Sequence, residues 1–230
     1  MNSKDVLLVI KNEWANFFSS DKSVFAVYSI MIVMWSLFVG TNLTAPLEHP
    51  HVSTGVVWWV FFAIIVSSNF AHTSVSMERI AGAMEILLTS GLTRLSILQG
   101  KIAFVVLIST LFGCICYVFA HSWTMFMNVE PKRILSISTV LLDVGTFFSA
   151  CVMNACCASW AGGRITNPRL GHFISILFFG LIITIHTLLS YWFFDTTFLL
   201  IAILILSGFI FYFCAASDFK SERIIQPVSF

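Results

Sequence analysis

Few side chains in this sequence of 230 residues are equipped for chemistry, and their spacing limits what each can do. Asp143 stands in a long apolar run, where a carboxylate costs about 2.5 to 3.5 kcal/mol to insert and so belongs in a bundle interior or a wet cavity. It suits a proton or substrate site, or a structural acceptor for His121, Lys132 or Arg133, and the structural role is the expectation. The histidines His49, His51, His72, His121, His172 and His186 are not at metal-ligand spacing. Only His186 lies well inside an apolar run, where it is expected to satisfy a neighbouring polar group. Cys114, Cys116, Cys151, Cys156, Cys157 and Cys214 all sit in apolar runs with no Cys-x-x-Cys, so they read as small core residues rather than a metal or disulfide framework. No Gly-x-x-x-x-Gly-Lys-Ser/Thr loop occurs. The chain is therefore expected to hold no catalytic residue, no metal and no cofactor of its own, and to be unable to hydrolyse ATP.

The elements that position these residues are membrane helices. The chain is 58% hydrophobic with 24 phenylalanines and 10% charged residues, against about 25% charge in a soluble domain. Apolar runs predict six spans, at about 24–40, 56–72, 102–120, 136–160, 172–193 and 197–216, close to the roughly 20 residues a 30 Å hydrocarbon layer needs. They form one all-α membrane domain over residues 1–230, with no repeat. Residues 3–18 precede them as an amphipathic helix lying in the interface, with Val6, Ile10, Trp14, Phe17 and Phe18 on one side and Lys4, Lys11, Asn12 and Glu13 largely on the other. No cleavable signal is expected there. Thr41–Thr54 and the stretch around Glu130, Pro131, Lys132 and Arg133 are read as outer loops, and Gly162-Gly163-Arg164 with Asn167-Pro168-Arg169 as a turn. The stripe Ala150, Asn154, Ala158, Gly162 reads as a close helix contact with Asn154 hydrogen-bonding across it.

Ten of the twelve basic residues, Lys4, Lys11, Lys22, Arg79, Arg94, Lys101, Arg164, Arg169, Lys220 and Arg223, fall on one side of this topology. That bias puts both termini in the cytoplasm. A net charge of +1 without a basic stripe gives no reason to expect nucleic acid as a partner.

Between the second and third spans lies the amphipathic segment Met77–Arg94. At 100° per residue Glu78, Gly82, Glu85 and Thr89 share one face, with Ile80, Met84, Leu87, Leu88 and Gly91 roughly opposite. Gly91 suits the left-handed position that stops a helix, and Thr93 an N-cap for the next one, through Ile97, Gly100 and Lys101.

The run Glu78…Gly82…Glu85-Ile86-Leu87-Leu88-Thr89-Ser90…Arg94…Ile97-Leu98…Gly100-Lys101 resembles the loop between spans two and three of ABC-2-type ABC transporter permeases, with Gly91 where that family commonly has proline. The resemblance extends, more weakly, over the whole chain through the number and order of spans. It implies an inner-membrane exporter subunit whose N-terminal helix is an elbow and whose 77–94 segment carries a coupling helix. The partners implied are separate ATPase subunits that bind ATP and magnesium, a second permease copy or homologue, and membrane lipid. It makes Glu78, Arg79, Ile80, Gly82, Met84, Glu85, Leu87, Leu88, Thr89 and Arg94 the candidate partner-binding residues. It also puts a transport path along the first, second and fifth spans, where Tyr28, Trp35, Asn69 and His186 are the candidates. A haem-export permease of cytochrome maturation and a passive membrane anchor are the alternatives.

Overall fold

The computed structural model describes residues 3–19, 22–44, 54–78, 83–127, 137–164, 168–190 and 196–219, and no strand occurs among them. Helices α1 (Ser3–Ser19), α2 (Lys22–Thr44) and α3 (Thr54–Ala71) are followed by a π-helical turn, His72–Met77. The short α4 (Ala83–Thr89) leads into α5 (Arg94–Phe126), α6 (Ile137–Arg164), α7 (Pro168–Ser190) and α8 (Thr197–Asp218). Five stretches among the described residues are long and apolar enough to cross a membrane: Val57–Val75, Arg94–Phe126, Ile137–Arg164, Phe173–Ser190 and Thr197–Asp218. The protein is thus a multi-pass helical membrane protein. In α2 the apolar stretch is shorter, Ala26–Thr41, within a helix of 23 residues.

The helices outrun several expected limits. α2 continues to Thr44, where a loop was expected from Thr41, and α6 runs through Gly162 and Gly163 to Arg164, where a turn was expected. The reason in α6 is tertiary: the Trp160 indole donates to Asp218 at 3.1 Å and Arg164 lies 3.7 Å from the same carboxylate, so the end of α8 holds the last turn of α6 helical. α5 has 33 residues, about 50 Å at 1.5 Å per residue, and so extends well beyond a 30 Å layer.

α6 is the central helix. It meets α8 at Gly208, where an added Cβ would sit 3.3 Å from the Met153 Cα, which fixes a backbone-to-backbone approach. Against α3 the amide nitrogen of Asn154 donates its two hydrogens to the hydroxyls of Ser67 (2.7 Å) and Ser68 (2.8 Å), with the Ile64 carbonyl 3.3 Å away, the cross-helix role the small-residue stripe predicted. The pairs Trp35–Phe62, Phe38–Trp58 and Tyr28–Phe70 run in opposite order along α2 and α3, so these helices are antiparallel. Tyr117–Asp143 with the approach of Gly113 to Phe147 makes α5 and α6 antiparallel as well.

α1 packs on α5 by a stripe the sequence reading divided wrongly. Val9 is buried against Gly100, Trp14 meets the Phe104 ring edge-on at 5.7 Å, and Phe17 reaches Phe70 (5.6 Å) and Phe112 (6.5 Å). The contacts climb α5 as α1 proceeds, so α1 inclines along α5 rather than crossing it at one level. Glu13 belongs to this buried face and not to the polar side with Lys11 and Asn12, because residues 6, 9 or 10, 13 and 17 line up at helical spacing.

Candidate functional site

The site is built where α1, the end of α3 and the beginning of α5 meet beneath α4. Local chemistry shapes α4. Its last turn is closed by Ser90, whose hydroxyl donates to the Leu87 carbonyl at 2.7 Å, and the chain then turns at Gly91 with φ +82°. That left-handed backbone favours glycine, and it stops the helix where the sequence predicted. Thr93 caps α5, its Oγ1 accepting the Ser96 amide at 3.3 Å.

Met84 anchors α4, fully buried, with Leu87 and Leu88 half-buried beside it. Ile86 is 72% exposed and Thr89, Ser90 and Arg94 are exposed too, so α4 presents an outer surface on the side away from Met84. Of the other expected partner-binding residues, Arg79, Ile80 and Gly82 lie outside the described residues, as does the Glu85 side chain. A groove of about 550 Å³ runs between α1 and α4, lined by Leu8, Lys11 and Asn16 on one wall and Ile86 and Leu87 on the other, with Glu78 among its lining.

Glu78 itself takes part in an arrangement the sequence reading did not foresee. The Lys101 side chain is wholly buried, and its three N–H groups are all used. They go to the Glu13 carboxylate on α1, to the Ser74 carbonyl in the π-helical turn (2.7 Å) and to Glu78 Oε2 (2.6 Å). The Ser74 hydroxyl donates to the second Glu13 oxygen at 3.1 Å. Glu13 and Glu78 keep only 5% and 18% of their side-chain surface exposed. Burial pushes the Glu78 carboxyl above its ordinary range, Lys101 opposes that shift, and Glu13 adds to it. One ammonium therefore ties three chain segments together. The signal was present in the sequence: Lys101 lies on the apolar stripe of Ile97, Phe104 and Ile108, as Glu13 lies on that of Val9 and Phe17. Counting Lys101 among surface cations hid it, although nine basic residues against two still gives the same topological bias.

Three of the four candidate path residues stand on α2 and α3, and the fourth, His186, stands near the end of α7. Tyr28 stacks on Phe70 at 4.8 Å, and Trp35 stacks on Phe61 and Phe62 between α2 and α3. Asn69 is exposed on α3, and His186 is buried with Nε2 3.0 Å from the Thr196 hydroxyl. That contact is the polar partner expected for His186. Asp143 accepts a long hydrogen bond, 3.4 Å, from Tyr117, whose ring lies 4.0 Å from that of His121 at a tilt of 31°; Lys132 and Arg133 lie outside the described residues. No family model matches the chain, and no curated protein matches it significantly, so the functional reading rests on the geometry and the resemblance of the 77–101 segment.

Proposed function

We propose that the chain is the membrane subunit of an ABC exporter of the ABC-2 type, with α1 as the elbow helix, α2 as a sixth span and α4 as the coupling helix. The observation that carries this reading is the way α4 is mounted. It is a short helix with a buried anchor, an exposed outer side and a stop at Gly91, set between two spans whose ends are joined by the Lys101–Glu78 contact. Such an element transfers a push from outside the bilayer to both spans at once, which a passive anchor does not require. The alternating directions of α2, α3, α5 and α6 support a serial up-and-down bundle, and the basic-residue bias supports a cytoplasmic side for α4 and both termini. ATP and magnesium are then held by separate ATPase subunits, and a second permease copy or homologue completes the path. The cargo is moved between the two permease subunits when ATPase closure shifts α4.

Purification from its native membrane in a mild detergent tests this. A P-loop ATPase subunit should copurify at one copy per permease chain, and its hydrolysis should drive substrate export in vesicles. A monodisperse, folded permease that binds no ATPase, when purified with all neighbouring candidate subunits coexpressed, would refute the exporter reading.

A further inference from the structure

The buried Lys101 joins α1 to the coupling region, and its geometry reaches further than stability. Each of its three donors goes to a different position, Glu13, Ser74 and Glu78, and no donor is left for a fourth partner. Ser74 lies in the π-helical turn His72–Met77, the kind of local distortion that recurs at functional sites, and both its carbonyl and its hydroxyl are engaged by the cluster. Next to Lys101, Gly100 lets α1 approach so closely that a Cβ there would lie 2.6 Å from the Val9 Cβ. α1 is therefore held by a charge contact and a steric fit at adjacent positions of α5, a few residues from the Thr93 cap at which α4 hands over to α5.

We infer that Lys101 is a positioning residue for coupling: it makes α1, the π-helical turn and the first turns of α5 one moving body, so that displacement of α4 is delivered to α1 as well as to the spans. α1 is then part of the transmission rather than a float on the membrane surface. The inference rests on the exporter function proposed for the chain and adds a working part to it.

The test uses the full complex in proteoliposomes and compares transport per ATP hydrolysed. Lys101→Met alone leaves two buried carboxylates without their cation and is a poor probe of function, because it weakens the fold. The triple change Glu13→Gln, Lys101→Met and Glu78→Gln removes every charge while keeping side-chain size, and neutral replacements of buried ion clusters commonly fold. The expected result is a triple variant that assembles with its ATPase and hydrolyses ATP within about twofold of wild type, but transports at least tenfold less per ATP. Glu13→Met keeps the Lys101–Glu78 pair and cuts only the charge tie to α1, and it should lower the same ratio without removing the cation of the cluster. A triple variant with wild-type transport per ATP would overturn the inference, as would hydrolysis and transport falling in the same proportion. Failure of the wild-type chain to bind any ATPase is a separate outcome that removes the exporter reading and, with it, this role for Lys101.

Discussion

Replacing Lys101 by methionine keeps most of the side-chain stem and deletes the one positive charge that the junction holds among the described residues. Breaking a buried pair by removing one partner costs about 3 to 5 kcal/mol, because the remaining charge is left without compensation. The upper part of that range applies here, since Glu13 at 5% exposure cannot turn to water and Glu78 at 18% can do so only in part. In a chain of this size each kcal/mol moves a thermal midpoint by about 2 to 4 °C, so about 4 to 5 kcal/mol should lower the melting point by roughly 8 to 20 °C. The deficit should depend on pH. Burial raises the Glu78 carboxyl in the folded protein and Lys101 opposes that rise, so without Lys101 the folded state holds the Glu78 proton still more strongly than the unfolded chain does. A folded state that binds more protons loses stability as pH rises from the ordinary glutamate range through the raised value. The gap between variant and wild type should thus be wider at pH 8 than at pH 5.5. Thermal unfolding of both proteins in the same detergent, followed at the two pH values, measures it. A Lys101→Met protein as stable as wild type at pH 8, or a gap that widens on acidification, would refute the reasoning.

Gly100→Ala should push α1 away from α5, at a cost of about 1 to 3 kcal/mol, because the new Cβ meets Val9 Cβ and Cγ1 at 2.6 Å and a β-branched side chain cannot swing clear. Faster hydrogen exchange confined to α1 is the expected signature, and unchanged α1 protection would contradict the packing described. Asp143→Asn keeps an acceptor for the Tyr117 hydroxyl and should leave assembly intact with only modestly reduced transport. If the complex carrying Asp143→Asn assembles but shows no substrate-stimulated hydrolysis, this carboxylate belongs instead to the transport path. Cysteines placed at Ser3 and Ser221 in a cysteine-free background should both resist impermeant reagents in intact cells, since the basic residues cluster with both termini; labelling of either overturns the topology.

What could be read from the sequence was what nearest neighbours along the chain decide. The stop at Gly91 and the cap at Thr93 depend on backbone conformation and one hydroxyl, and both stand where they were expected. The cross-helix role of Asn154 followed from a polar amide in a stripe of small residues. The junction as a whole could not be found this way, because Glu13, Ser74, Glu78 and Lys101 are up to 88 positions apart: Lys101 and Glu13 each stand out on an apolar stripe, but nothing along the chain says that they meet. The extra turn of α6 escaped for the same reason: a Gly-Gly pair is weak in helix, and the Asp218 carboxylate that Trp160 and Arg164 meet there comes from a helix more than 50 positions on. The junction also changes which residues are fit to probe docking. Glu78→Lys would bring a second cation against Lys101 and disturb the fold, so a clean test must use the outer side of α4.

A photoactivatable cross-linking residue at Ile86 or Thr89 gives that test, since both side chains are exposed and Met84 anchors the helix from the other side. If α4 is the coupling helix, each position should yield one dominant, nucleotide-sensitive cross-link to the ATPase subunit in native membranes, while the same residue at Phe126, at the opposite end of α5, yields none. Cross-links from Ile86 and Thr89 to lipid alone, with an ATPase present and active in the same membranes, would contradict the claim that α4 receives the stroke.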